Sequence, residues 1–585
     1  MSRRATPAAS GRPRAARLLW IAPLVGGAIH ALSFAPGPLP AALLPVIQLL
    51  SLAILAFCTF RSASIKQACL AGFSFGLSWF CVGLYWLYIS MHVYGNMVAP
   101  LAAGGVFALS AYLSIYPALA CGLVRWLAPM PAAPQPTTAE SSFDFFPASA
   151  SAAVNGPQPR LSALPRAAIL FSVLTWAAAW SLSEWLRGVV FTGFPWLNVG
   201  YAHVDSPFAG WAPVLGIYGV AFWVAFVAAA LALLAYTCRS PSTPTENRAF
   251  TAQKKIVLGV AVASALVGWG LSIIPWASSS GEPLNVQLLQ GNIPQSQKFD
   301  PALMESGIVA QLALAGQELP NTPRPDLVLL PETVLPVFQN PVSPNVWRAW
   351  RDIADRRDTT LIMGAPLNTV ENGQQRYTNS VIAIDSDTSI QDLQAGNLDW
   401  QYDKRHLVPF GEFVPTGFRW FVNAMQIPLG DFDRGPIRQT PYDIGDQRIA
   451  LNICYEDLFG EELLPALHAD SNGPGATILA NVSNLGWFGD SWALRQHLQI
   501  ARMRTIETAR PMLASTNTGI TAAIDHTGHV VSSIASHQPG VLAVTVQGMS
   551  GFTPYARFGN AVALALAIVV LVVAFVRRKR GLPRA

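Results

Sequence analysis

Arg448-Ile449-Ala450-Leu451-Asn452-Ile453-Cys454-Tyr455-Glu456-Asp457 is a short apolar run that ends on a cysteine followed within three residues by two carboxylates. A brief apolar run bounded by polar residues reads as a buried strand, with Cys454 at its end. Similar runs lie on both sides, at 285–289, 327–330, 360–363, 380–385, 476–481 and 512–515. Helical candidates at 346–356 and 493–509 alternate with them. Strands interleaved with helices predict a layered α/β domain.

Outside this region the chain changes character. At 585 residues it is too long for one core, so at least two domains are expected. Hydrophobic residues make up 52% and charged residues 12%, a ratio that points to a membrane protein. Of the 33 acidic residues, 28 fall between Glu282 and Asp525, so one water-soluble domain is embedded in an apolar chain. A hydrocarbon layer about 30 Å thick needs roughly 20 apolar residues per helix. Eight stretches qualify: 18–35, 39–59, 67–90, 98–124, 167–186, 211–237, 256–276 and 559–576. The first has an arginine-rich start but no clear small-residue cleavage site, and reads as a retained anchor.

Short cytoplasmic loops collect Lys and Arg. With the N-terminus inside, Arg61, Lys66, Arg125, Arg166, Arg239, Lys255 and the tail Arg577, Arg578, Lys579 and Arg580 all fall on that side, and 277–558 falls outside the cytoplasm. The expected organisation is a membrane domain at 1–276, a soluble catalytic domain at 277–550, and an eighth span with a basic tail at 551–585. The stretch 129–160, rich in Pro, Ala and Ser, reads as a flexible cytoplasmic linker, and 239–253 as a shorter polar loop. The net charge of +5 lies mostly in the terminal basic clusters and matches no nucleic-acid module. No internal repeat or zinc-type cysteine pair is present.

Chemistry concentrates in three places. A free thiol is mostly protonated at neutral pH, so a nucleophilic cysteine needs a base or a cation beside it. Glu332 ends an apolar run and could take the proton and return it to a leaving group. Lys404, in Tyr402-Asp403-Lys404-Arg405-His406, could stabilise a thiolate and the oxyanion of a tetrahedral intermediate. Taken singly, each residue has a structural reading: a buried thiol, a strand-end ion pair, a solvated loop charge. Phe194 and Trp196, in an outer loop, read either as interface anchors or as the mouth of a lipid-accessible site.

The flanking residues decide between these readings. Gln290-Gly291-Asn292-Ile293-Pro294-Gln295, Leu330-Pro331-Glu332-Thr333, Lys404-Arg405-His406-Leu407-Val408-Pro409-Phe410-Gly411-Glu412-Phe413-Val414-Pro415, Asn452-Ile453-Cys454-Tyr455-Glu456 and Asn481-Val482-Ser483-Asn484-Leu485-Gly486-Trp487-Phe488 resemble the nitrilase superfamily. With its spans, the chain resembles the membrane-bound apolipoprotein N-acyltransferase family of Gram-negative bacteria. The resemblance implies an α-helical membrane domain of eight spans plus an αββα sandwich. It implies Glu332 as general base, Lys404 as oxyanion stabiliser and Cys454 as nucleophile, with Glu412, Tyr455 and Glu456 as auxiliary residues. Phe299, Phe410, Trp487, Phe194 and Trp196 are expected along the substrate path. Phe299 stands where the family often has tryptophan, which keeps an aromatic face without an indole N–H.

The implied reaction moves an acyl chain from a membrane phospholipid, through a thioester, to the amine of a diacylated apolipoprotein. It needs no cofactor or metal and no nucleic acid. A monomer is expected in the bacterial inner membrane, with cytoplasmic termini and a periplasmic catalytic domain. A membrane-tethered amidase acting on a soluble amide would use the same three residues but would not need eight spans. A transporter or scaffold would leave the ordered motifs unexplained. Residues 416–440, with Trp420, Phe421 and Met425, read either as a lid or as packed surface.

Overall fold

The structure, a computed structural model, describes residues 14–128, 168–237, 244–415, 417, 419, 431–469, 471 and 473–580. The linker at 129–160 and the lid residues Trp420, Phe421 and Met425 lie outside the described residues.

Seven helices among the described residues are long and apolar enough to cross a membrane: Ala41–Arg61, Ile65–Gly83, Ala99–Leu127, Ile169–Thr192, Pro207–Ala235, Thr251–Ser272 and Ala561–Lys579. They coincide with seven of the eight expected spans. The other, expected at 18–35, is helix Arg14–Ala31, whose described apolar segment Ile21–Ala31 is shorter than a crossing. One expectation is corrected. The stretch 239–253 is not wholly a loop, because helix Pro244–Ser272 takes in its second half. Proline at the first helical position presets φ, and the Glu, Ala, Gln and Lys that follow are good helix formers.

Among the described residues the soluble region carries fourteen strands. One six-stranded sheet has the order β13-β2-β3-β4-β5-β6: Gly540–Val546, Leu284–Gln290, Leu327–Leu329, Thr360–Glu371, Gln374–Ile384 and Gln401–Asp403. The other has the order β12-β11-β10-β9-β8-β7: Val530–Ser533, Ala522–Ile524, Met512–Thr516, Ile478–Ser483, Gln447–Ile453 and Tyr442–Ile444. The central strands β2, β3 and β4 run parallel, as do β8, β9 and β10. Each expected strand is present. Two are longer than expected, because Asn372 and Gly373, both at positive φ, close a tight hairpin between β4 and β5.

Side chains on a strand alternate between faces. Val286, Leu288, Leu329 and Ile362 therefore meet Ile449, Leu451, Ile453 and Val482 between the sheets. Leu289, Val328 and Met363 point the other way, against helices Met304–Ala315 and Pro344–Arg357, where Trp347 and Trp350 are fully buried. A tryptophan in such a place buries roughly 150–250 Å², worth about 4–6 kcal/mol before entropy is counted. Helix Trp492–Thr508 covers the second sheet, completing the αββα sandwich.

The sandwich is joined to the helical region in two ways. A short ribbon, β1 (Ser278–Ser279) with β14 (Met549–Ser550), ties together the chain's exit from one span and its return to the last. In addition, Tyr455, Leu458, Phe459, Ile500 and Met503 belong to the same apolar core as Trp176, Trp180 and Val224 of the membrane helices. That shared core lies directly behind Cys454.

Candidate active site

Three strand ends converge at the site. Glu332 follows β3, Lys404 follows β6 and Cys454 follows β8, so the two sheets contribute from opposite sides. Close backbone approach sets the position of Glu332. A Cβ on Gly364 of β4 would lie 2.6 Å from the Thr333 nitrogen and 2.7 Å from the Glu332 Cα, so only glycine fits there.

The Glu332 carboxylate is held from several directions. Its Oε1 accepts from Asn379 Nδ2 at 2.8 Å and from Lys404 Nζ at 3.4 Å, and its Oε2 accepts from the Asn484 backbone N–H at 2.8 Å. Lys404 also donates to Glu412 Oε1 at 2.8 Å, and the same oxygen accepts from Asn379 Nδ2. Glu412 Oε2 accepts from the Val408 backbone N–H at 2.8 Å, which fixes the loop 408–412. Burial disfavours the Lys404 ammonium, but Glu332 and Glu412 outweigh it and hold its pKa above the ordinary lysine range. Lys404 is therefore a fixed cation.

Cys454 opens a single helical turn, Cys454–Leu458, at a φ of +53°, in a region where a non-glycine residue costs about 1–3 kcal/mol. Its carbonyl accepts from Asn481 Nδ2 at 3.2 Å and lies 3.4 Å from His497 Nε2. Burial pushes the thiol pKa well above the usual range; the Glu332 charge raises it further, and Lys404 opposes only in part. The sulfur thus rests as a thiol, and making the thiolate requires a proton acceptor rather than a standing field.

The auxiliary residues divide into different tasks. Glu456 is a buried clamp. Its Oε1 accepts from the backbone N–H groups of Arg405 at 2.6 Å and His406 at 3.0 Å, and its Oε2 accepts from Ile453 N–H at 2.6 Å and the Tyr402 hydroxyl at 2.9 Å. It locks the Lys404 segment to the end of β8. Tyr455 turns toward the membrane helices, where its hydroxyl donates to the Gly193 carbonyl at 3.1 Å.

Phe299 and Trp487 stack at 6.0 Å, are 45% and 38% exposed, and approach Tyr94 of the membrane region edge-on at 6.2 Å from Trp487. They form an open aromatic rim. Phe410 is half-buried at positive φ on the tight loop that carries Glu412. Phe194 is half-buried against Tyr455, with ring centres 6.4 Å apart. Trp196 departs from expectation. It is 2% exposed, donates to Gln496 Oε1 at 2.8 Å, and sits against Trp86 and Phe488. An indole whose N–H finds a partner inside the protein is sealed into the junction, so Trp196 lines no open path.

Matches to known protein families follow the same division. Residues 26–230 match the apolipoprotein N-acyltransferase N-terminal domain, and 288–555 match carbon-nitrogen hydrolase. An apolipoprotein N-acyltransferase of Bordetella bronchiseptica is 52% identical over 561 residues, covering 95% of this chain and 96% of its own. The chain belongs to the apolipoprotein N-acyltransferase family. The family's protein from Ralstonia nicotianae is 42% identical over 573 residues, covering 97% of this chain and 95% of its own. A carbon-nitrogen hydrolase superfamily protein of Xanthomonas campestris, solved as a crystal structure, covers 50% of this chain and 97% of its own, at 21% identity and a TM-score of 0.32.

Several residues of this acyltransferase-family site gave no isolated signal in the sequence. Asn379 bridges the two carboxylates from the middle of β5, far in sequence from either. Lys298, 4% exposed, donates to the Glu332 backbone carbonyl at 3.2 Å, and burial pulls its pKa down to about 7 against the opposing Glu332 charge. Asn481 and Asn484 sit inside a stretch that carried the family resemblance, but their hydrogen bonds to Cys454 and Glu332 required the fold. Among the described residues no group of His, Cys, Asp or Glu is arranged to hold a metal ion.

Proposed function

We propose that this protein N-acylates apolipoproteins by a two-step transfer through Cys454, and that the acyl donor is a membrane phospholipid. The observation that carries the reading is the Glu332–Lys404–Glu412 cluster, which faces the Cys454 side chain on a turn built into the core of the membrane helices. Family membership supports the lipoprotein acceptor.

In the first step Glu332 takes the Cys454 proton as the sulfur attacks an ester carbonyl of the phospholipid. The tetrahedral oxyanion meets the Lys404 ammonium. Collapse breaks the C–O bond, and protonated Glu332 returns its proton to the leaving lysophospholipid oxygen, which leaves a thioester on Cys454. In the second step the neutral α-amine of an S-diacylglyceryl-cysteine attacks that thioester and Glu332 accepts its proton. Collapse then expels the Cys454 thiolate, which recovers the proton. One ester and one amine become one amide and one alcohol. A preorganised donor facing an oxyanion is worth about 3–4 kcal/mol, a role the Lys404 geometry fits.

Both substrates are lipid-anchored, so a site held against a membrane gains effective concentration by lateral diffusion. The reading also includes a periplasmic catalytic domain over a bacterial inner membrane, cytoplasmic termini, and boundaries near residues 276 and 550. An impermeant thiol reagent applied to intact spheroplasts tests orientation: labelling of Cys454 from outside is expected, and labelling from the cytoplasm alone overturns it. Membrane N-acylation assays of Cys454→Ala test the mechanism, with complete loss expected and full activity fatal to it.

A further inference from the structure

Beside the site, between the sandwich and the membrane helices, lies a partly open cavity of about 250 Å³. Its walls continue the catalytic segments. Arg405 follows Lys404, and Leu458–Glu462 begins four residues after Cys454. Three arginines, Arg405, Arg434 and Arg504, line it. Val189, also in the lining, is 43% exposed, and nearby Phe191 is 84% exposed, so the cavity has an apolar rim at the outer end of a membrane helix.

The arginines are unevenly satisfied. Arg504, 1% exposed, has its Nη1 3.2 Å from Glu507 and its guanidinium 5.8 Å from the centre of the Tyr201 ring, yet its Nε and Nη2 have no hydrogen-bond partner among the described residues. Unbonded donors on a buried cation are costly unless a ligand meets them. Arg405 gives one donor to the Gly435 carbonyl at 3.0 Å, and Arg434 lies over the Phe413 ring at 5.1 Å. The two carboxylates in the lining are engaged: Glu462 with His406 at 2.8 Å, and Glu461 with the Asn560 N–H at 3.1 Å.

We propose that this cavity holds the phosphodiester of the donor glycerophospholipid, with Arg405, Arg434 and Arg504 around it and the acyl chains leaving over Val189. The proposal rests on the phospholipid-donor reading above. Planar guanidinium forks match phosphate oxygens better than any other side chain. A volume of 250 Å³ accommodates a headgroup but not acyl chains, which the exposed apolar rim can receive. In a glycerophospholipid, the glycerol separates the phosphate from the ester by only a few bonds, which suits an anion site on segments continuous with Lys404 and Cys454. A free phosphate ion offers the same chemistry without the chains.

The test uses full-length Cys454→Ala protein in detergent, so that binding is read without acyl transfer. Equilibrium binding is measured for dihexanoyl phosphatidylglycerol, for dihexanoylglycerol, which lacks the phosphate, and for inorganic phosphate. The phospholipid is expected to bind at least about tenfold more tightly than either. Adding Arg405→Gln and Arg434→Gln, at two partly exposed positions, is expected to cost it about tenfold and leave dihexanoylglycerol unchanged. Equal binding of the two lipids overturns the proposal, as does phospholipid binding that is indifferent to the arginines. Inorganic phosphate binding as tightly as the phospholipid assigns the cavity to a free anion and also overturns it. Since no chemistry is asked of this protein, failure here leaves the thioester mechanism standing, and failure of acylation leaves this site standing.

Discussion

Glu332, Lys404 and Glu412, tied to one another by charge and hydrogen bonds, face Cys454 from one sheet, whereas the next residue, Tyr455, joins the apolar core of the membrane helices, near the Trp196–Phe488 aromatic pair. The first wall is polar, and each of its atoms has an assigned partner. The second is aromatic, with Trp86 and His497 filling the space around Trp196. Loss of a charge from the first wall should change rates in a protein that still folds. Loss of a ring from the second should change folding in a protein whose remaining native molecules still react.

The largest expected effect is Glu332→Gln, which keeps the side chain's size, removes the base and gives up one of the two accepting oxygens. Acyl-enzyme formation should fall about 10²–10⁴-fold, with a small change in melting temperature. The same variant lowers the Cys454 pKa, because the Glu332 charge is one of the forces raising it. The pH profile of thiol alkylation should therefore shift to lower pH while catalysis fails. A profile unshifted or moved to higher pH would show that Glu332 is not the neighbouring anion.

Trp196→Ala comes next. Truncating a buried tryptophan costs about 3–5 kcal/mol, and here it also leaves Gln496 without its partner. Thermal unfolding in detergent should shift markedly downward, with the specific activity of the folded fraction kept within a few-fold. An unchanged melting temperature with lost activity would place Trp196 on the substrate path after all.

Phe299→Ala probes the open rim, where stacking on Trp487 stabilises little in the folded protein. An aromatic contact is worth about 0.5–1.5 kcal/mol, so the lipid KM should rise by up to about tenfold with the melting temperature unchanged. Phe299→Trp should restore it.

Much of this arrangement was legible in the chain. The apolar runs ending at Glu332 and Cys454 and the charge-poor spans each follow from local composition. The partition of aromatics did not. Trp196, Phe299 and Trp487 carry the same kind of side chain near loops, and only three-dimensional packing makes one a sealed junction residue and the others a rim. Asn379 and Lys298 were invisible for a related reason. A mid-strand asparagine and a lysine in a polar run look solvated until the fold buries them against Glu332. The long β4–β5 hairpin shows the converse, since Asn372-Gly373 is a local signal whose strands extend past their apolar cores.

The smallest expected effect concerns pH at the junction. Burial pushes the Glu507 carboxyl up to about 7, partly opposed by Arg504, and pushes Asp457 up to about 6. A carboxyl raised above its unfolded value of about 4.3 binds its proton more tightly when folded. Its contribution is therefore complete below about pH 4 and is lost as pH rises through about 7. Melting temperature should decline across that window, and Glu507→Gln should flatten the decline while its amide oxygen still accepts from Ile217 N–H. A slope identical to that of the parent protein would remove Glu507 from the account.

The central claim is tested most directly by the intact mass of the full-length protein after incubation with a phospholipid of defined chains and no acceptor. The predicted result is one added acyl group, located on Cys454, released by hydroxylamine, and absent in Cys454→Ala. An active enzyme that carries no acyl group, or carries it on another residue, would contradict the account.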